Sequence, residues 1–204
     1  MPQPFILASR SPRRKKMLTA AGYKFEVVHP DEKVETPRRK NETALQYVMR
    51  MAQAKVLNVY AAKRAEDPQC TPTIVGCDTV AVVPLRFKDE VYGGEIIRDE
   101  VFGKPKDAED AKRMLQTLRG KEHTVISCLC ILQAGILKTR ISKTQLKMDN
   151  ISDEEIDEYI ATKKWKGKAG AFGYQDGNDW LHIIEGSESN VVGMPMEQLA
   201  ATLQ

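Results

Sequence analysis

The chain has no hydrophobic run longer than a short strand, so a membrane-spanning helix is not expected. The first apolar stretch, Phe5–Ala8, is too short for the apolar core of a signal peptide, and a cytoplasmic protein is expected. Metal-ligating side chains of the soft kind are sparse. The three histidines, His29, His123 and His182, are scattered, and the four cysteines, Cys70, Cys77, Cys128 and Cys130, contain no CxxC pair. Cys128 and Cys130 fall on one face of an apolar strand, which suits buried, reduced thiols rather than zinc or a disulfide framework. Charge of one sign is not in excess, since 31 Lys and Arg meet 28 Asp and Glu for a net charge of +3. Proteins that coat nucleic acid show a stronger imbalance, so no nucleic-acid partner is expected and any anion site is local. There is no GxxxxGK[ST] segment, which argues against phosphoryl transfer of the P-loop kind, and no serine–histidine or cysteine–histidine pairing stands out. Internal repeats and low-complexity linkers are absent too.

What remains is 204 residues, 42% hydrophobic and 29% charged, enough for one compact α/β domain or two tightly packed lobes. Phe5–Ala8 reads as a buried strand. Ser11 then suits a helix N-cap, Pro12 the first helical position, and Gly22 a stop. Strand, serine-rich turn and helix start leave backbone N–H groups for an anion, with Arg13 and Arg14 in the first turn. A solvated basic face is the alternative, given Lys15 and Lys16. Residues 23–29 read as a strand, 30–41 as a polar loop and 42–64 as a long helix. Ala44, Val48 and Met51 form its apolar stripe, with Tyr47 beside it. Lys55 falls on the same stripe, either snorkelling out or pointing into a site. Residues 73–83 form a β-prone run with Asp78 in its middle. A carboxylate there is costly to bury unless paired, so Asp78 is either functional or starts a turn after Gly76.

Residues 84–101, hydrophilic and containing Gly93-Gly94, suggest a hairpin. A helix capped by Asp107 follows, stopped at Gly120, then two strands, 123–133 and 138–148, around Ala134-Gly135. Ser152 and Glu155 form a capping box for a helix to about Lys164. Residues 168–173 are a small-residue loop where backbone can approach a ligand. Residues 180–184 read as a strand, 190–195 as a turn and 196–203 as a closing helix. One mixed twisted sheet flanked by helices is the simplest α/β architecture. Arg13, Arg14, Lys55, Lys104 and Lys168 are cations near element ends or glycines, and Asp78, Glu32 and Glu35 offer hard oxygen ligands. Many cations with a few carboxylates suit a polyphosphate and a divalent cation, Mg²⁺ or Mn²⁺.

Ser9-Arg10-Ser11-Pro12-Arg13-Arg14 resembles the SxSPRR opening of the Maf proteins, a family of nucleoside triphosphate pyrophosphatases. Tyr47-Val48-Met49-Arg50-Met51-Ala52-Gln53-Ala54-Lys55 is similar to the family's YVxRxAxxKA, Gly76-Cys77-Asp78-Thr79-Val80 to GxDTxV, and Gly103-Lys104-Pro105 to GKP. Lys168-Ala169-Gly170-Ala171-Phe172-Gly173-Tyr174-Gln175 resembles KAGAYGIQ, and Asn190-Val191-Val192-Gly193-Met194-Pro195 resembles NVVGLP. The six blocks keep family order across nearly the whole chain. The resemblance implies a single domain over 1–204 with the Maf/Ham1 (ITPase-like) fold, two closely packed lobes around a cleft, an inserted hairpin at 84–101, and a homodimer.

It also implies hydrolysis of a nucleoside triphosphate to the monophosphate and pyrophosphate with a divalent metal. Asp78 matches the proton acceptor, and Ser9, Ser11, Arg14, Lys55, Lys104 and Lys168 match the phosphate-binding positions. Asp78 and a loop glutamate would hold the metal: Glu35 by alignment, with Glu32 the competitor. Arg13, Thr79 and Gln175 match the branch resembling dTTP/UTP pyrophosphatases, so dTTP, UTP and CTP or modified pyrimidines are the expected substrates. Action on 7-methyl-GTP or another purine nucleotide is the alternative, as is a non-catalytic nucleotide- or nucleic-acid-binding regulator of cell division. Residues 184–189 depart from the family's IxGDYxN stretch, and 84–101 is longer than its usual link.

Overall fold

The structure is a computed structural model that describes residues 3–88 and 93–203. Its strands are β1 (Phe5–Ala8), β2 (Phe25–Val28), β3 (Ile74–Lys88), β4 (Glu95–Phe102), β5 (Glu122–Gln133), β6 (Ile136–Met148) and β7 (Leu181–Glu185). The helices are α1 (Pro12–Ala20), α2 (Ala44–Glu66), α3 (Ala108–Leu118), α4 (Asp153–Ala161), α5 (Glu188–Val192) and α6 (Met196–Thr202). The strands form one mixed sheet in the order β2-β1-β3-β5-β6-β7, with β4 paired to β3. β1 runs parallel to both β2 and β3, and all four of its residues are buried, as a strand covered on both faces requires.

The chain divides into two compact units. The first comprises Met1–Thr79, Ser127–Ser142 and Ser189–Gln204; the second comprises Val80–Ile126 and Lys143–Glu188. In the first unit Phe5, Leu7, Leu18, Val75, Cys77, Leu129, Ile131, Met194 and Leu199 form one apolar core. Helix α2 starts at a capping box, with Thr43 accepting from Gln46 N and Gln46 accepting from Thr43 N, and buries Ala44, Val48, Met51, Ala52, Val56 and Val59 along one face. Lys55 is buried on that same face, 5% exposed. In the second unit, β3 and β4 pair antiparallel from Ala81↔Phe102 to Lys88↔Glu95. Positions 89–92 of the 84–101 stretch lie outside the described residues.

Several boundaries differ from the sequence reading for local reasons. β3 does not stop at Val83: pairing with β4 carries it past Pro84 to Lys88. It also runs without a break through Asp78, which rules out a turn there. α4 ends at Ala161 rather than near Lys164, because the Thr162 hydroxyl donates to Tyr159 O at 2.6 Å and Lys163 takes a left-handed φ of 60°. Residues 190–195 are not all turn, since α5 extends to Val192 before Gly193.

Candidate active site

Ser11 caps α1 by accepting from Arg14 N at 3.4 Å, which fixes the helix start directly after β1. That geometry turns Arg14 inward, where it is 9% exposed, while Lys15 and Lys16 face solvent. The Arg14 guanidinium donates through Nε to Gly193 O (2.8 Å), through Nη1 to Ser9 Oγ (3.4 Å) and through Nη2 to Thr79 Oγ1 (3.2 Å). Ser9 Oγ also accepts from Ser11 N at 3.1 Å, so the turn and the guanidinium are tied through one hydroxyl. Thr79 Oγ1 shares a 2.8 Å hydrogen bond with the buried Ser127 Oγ on β5. Arg13 lies half-buried on α1.

Asp78 sits on β3 with its side chain 14% exposed, facing the same side of the strand as Gly76. A Cβ at Gly76 would come 2.6 Å from Val56 Cγ2, so the glycine is what lets α2 approach β3 closely. The neighbouring Lys55 then reaches two carboxylates: its Nζ lies 2.6 Å from Asp78 Oδ1 and 3.0 Å from Glu35 Oε1. Glu35 closes the short 3₁₀ turn Glu32–Val34. Glu32 points elsewhere, 83% exposed, with Oε1 3.4 Å from Arg10 Nη1.

The loop that carries Glu35 is held by a forked ion pair. Arg50 Nε and Nη2 donate to Glu42 Oε1 and Oε2 at 2.6 and 2.7 Å, and Nη1 donates to Thr36 Oγ1 at 2.6 Å. The Arg50 hydrogen bonds pull the Glu42 carboxyl down to about 2. Tyr47, one turn before Arg50, has its hydroxyl pushed up by burial and then by the Asp78 carboxylate.

In the second unit, Lys104 is exposed in the turn between β4 and α3. Gly170 N donates to Gly103 O at 3.1 Å, which pins that turn to the loop carrying Lys168. Lys168 Nζ forms an ion pair with Asp176 Oδ2, and Tyr159 OH donates to the same oxygen at 2.8 Å. Gln175 is exposed on the 3₁₀ turn Tyr174–Asp176.

Of the residues singled out by the sequence, Ser9, Ser11, Arg14 and Thr79 thus form one contact set, and Lys55, Asp78 and Glu35 another. Glu32 joins neither. Arg50, Glu42, Ser127, Tyr159 and Asp176 were not singled out. Only Arg50 carried a signal, its place inside the Tyr47–Lys55 block. Among the described residues, no group of three or more His, Cys, Asp or Glu side chains is arranged to hold a metal ion, and no helix is long and apolar enough to cross a membrane. Asp78 and Glu35 nonetheless present two hard carboxylate oxygens to a single cationic atom. That donor set fits Mg²⁺ or Mn²⁺, which take one or two carboxylates and complete their shell with water and substrate phosphates.

The family model described as Maf-like protein matches residues 4–204 of this chain. A dTTP/UTP pyrophosphatase of Rhodopirellula baltica is 39% identical over 206 residues, covering 100% of this chain and 82% of its own length. One from Hydrogenovibrio crunogenus is 35% identical over 207 residues, covering 100% and 96%, and one from Shewanella sp. is 36% identical over 197, covering 94% and 92%. The solved structure of the Staphylococcus aureus Ham1 protein overlaps 72% of this chain and 73% of its own at a TM-score of 0.40 and 10% identity.

Proposed function

This chain belongs to the Maf family, and from that membership we propose that it hydrolyses nucleoside triphosphates to the monophosphate and pyrophosphate, with dTTP and UTP preferred. The observation that supports the reading most is the contact of Lys55 Nζ with both Asp78 and Glu35, which gathers a base, a cation and a second carboxylate at one point. Asp78 accepts the proton of a water that attacks the α-phosphorus. The bond from that phosphorus to the bridging oxygen breaks, and the electron pair leaves with pyrophosphate. Arg14, Lys55, Lys104 and Lys168 bind phosphate oxygens and offset their charge. Ser9 and Ser11 orient the Arg14 end of that set through their hydroxyls. Arg13 and Gln175 are the groups for the base. The Gln175 carboxamide offers a donor and an acceptor, which a uracil or thymine edge can match.

Asp78 and Glu35 would hold a divalent cation, Mg²⁺ or Mn²⁺, which when bound lowers the pKa of water and neutralises phosphate charge. Glu35 rather than Glu32 takes this role, because only Glu35 shares a contact with Asp78 through Lys55.

Pyrophosphate release from dTTP, UTP, CTP, purine triphosphates and 7-methyl-GTP, with Mg²⁺ or Mn²⁺, tests the proposal. dTTP and UTP are expected to give the largest kcat/KM, and Asp78→Asn to lower kcat by roughly 10²–10⁴-fold. Full activity in Asp78→Asn would remove that residue as the proton acceptor. No release from any triphosphate by the wild type would sink the enzymatic reading and leave a nucleotide-binding regulator.

A further inference from the structure

The Lys168 and Asp176 side chains are each 9% exposed and form an ion pair. Two charges withdrawn this far from water are tolerated only when paired well and when their remaining lone pairs are used. Here Oδ2 of Asp176 also accepts from Tyr159 OH at 2.8 Å. Burial, and then the hydrogen bond to Asp176, push the Tyr159 hydroxyl above its ordinary range, so it stays a donor. The loop closes tightly around the pair. Asp176 N donates to Gly173 O at 3.1 Å, and a Cβ at Gly173 would lie 2.5 Å from Lys168 Nζ and 2.7 Å from Asp176 Oδ2. With φ at −135°, Gly173 is needed for that space and not for its backbone conformation.

We propose that Asp176 is a positioning residue for Lys168, holding its ammonium in place and competing for it with a substrate phosphate. The inference rests on the proposed function, in which Lys168 binds phosphate. An ammonium already paired with a carboxylate offers an incoming anion less net charge than an uncompensated one, so the triphosphate must share or displace Asp176. Tyr159 stays on Oδ2 and stabilises the carboxylate that the phosphate displaces. Asp176 therefore lowers the affinity of the site for phosphate while keeping Lys168 in register.

Asp176→Asn tests this, since the amide matches the carboxylate in size, still accepts from Tyr159 and removes the charge. KM for dTTP is expected to fall by roughly 3- to 10-fold with no rise in kcat, and the Kd of inorganic pyrophosphate, read by calorimetry, by a similar factor. In a Lys168→Met background the same substitution should change neither quantity. Tyr159→Phe, which keeps the pair but leaves the carboxylate less well stabilised without Lys168, should raise the pyrophosphate Kd. A merely structural role predicts the opposite sign for Asp176→Asn, and unchanged or raised KM and Kd would overturn the proposal. Should the wild type hydrolyse no triphosphate, the proposed function fails, while the pyrophosphate Kd values still decide the role of Asp176. If Asp176→Asn does not fold, the direction of the Tyr159→Phe shift decides it: a lowered Kd is incompatible with competition.

Discussion

The Thr79 hydroxyl accepts from Arg14 Nη2 at 3.2 Å and shares a hydrogen bond with Ser127 Oγ at 2.8 Å, so its hydrogen-bonding capacity is engaged within the protein. The family resemblance makes Thr79 a marker of base choice, whereas its contacts go to Arg14, the group proposed to bind phosphate. Thr79→Val, close in shape but without the hydroxyl, is expected to raise KM by roughly tenfold for dTTP, UTP and CTP alike. Steady-state kinetics on the three substrates check this, and a change confined to one base would return Thr79 to base recognition. Asp78 was legible in the sequence because a carboxylate in a β-prone run demands a partner, and Lys55 because a lysine interrupts an apolar helical stripe. Asp176 was not. Its pairing with Lys168 depends on a loop that folds back through Gly170 and Gly173, and such a path leaves no periodicity to read. Ser127 was hidden for a different reason, since a serine on a buried strand says nothing of the threonine opposite it until strand order is known.

Helix α2 does more than supply Lys55. Arg50 stands five residues before it and grips Glu42, Thr36 and Pro37 O, so one helix positions both the ammonium and the loop that brings Glu35 to it. A lysine has no fork with which to repeat those contacts. Arg50→Lys is therefore expected to loosen residues 35–42 and, on the proposed role of Glu35 as a metal ligand, to weaken Mn²⁺ binding by about tenfold, the low end of the loss when a group that orients a metal ligand is removed. Hydrogen exchange at Thr36 and Glu42 amides, together with the Mn²⁺ Kd, measures both effects. An unchanged Kd with faster exchange would separate the loop from metal binding. The helix itself was readable from its apolar stripe, whereas the Glu35 loop was not, because its position is set by Arg50 contacts across 8 to 14 residues and a Lys55–Glu35 pair across 20 rather than by propensity. Strand ends were misplaced where pairing overrides composition, as when β4 draws β3 past a proline.

At the scale of the molecule, composition allowed one domain or two lobes, and the chain forms two compact units. Two side chains, one in each unit, link stability to pH. His123 is 1% exposed against the edge of Phe172, and burial lowers its pKa from 6.5 to about 4. Between those values the unfolded chain binds the proton more readily than the native state, so stability falls as pH drops through that window. The full effect is about 3 kcal/mol, worth roughly 6–12 °C in Tm for a chain of this size. Glu42 acts in the next window down. Its pair with Arg50 contributes fully above the ordinary 4.5 and is lost as pH falls toward about 2. Acidification is therefore expected to lower Tm in two successive stages. His123→Leu should flatten the stage between pH 6.5 and 4, while Glu42→Gln should start with a lower Tm at pH 7 and converge on the wild type near pH 2. Thermal melts across pH 2–8 test both, and a wild-type Tm that is level from pH 6.5 to 4 would show that His123 takes up its proton without cost to the fold.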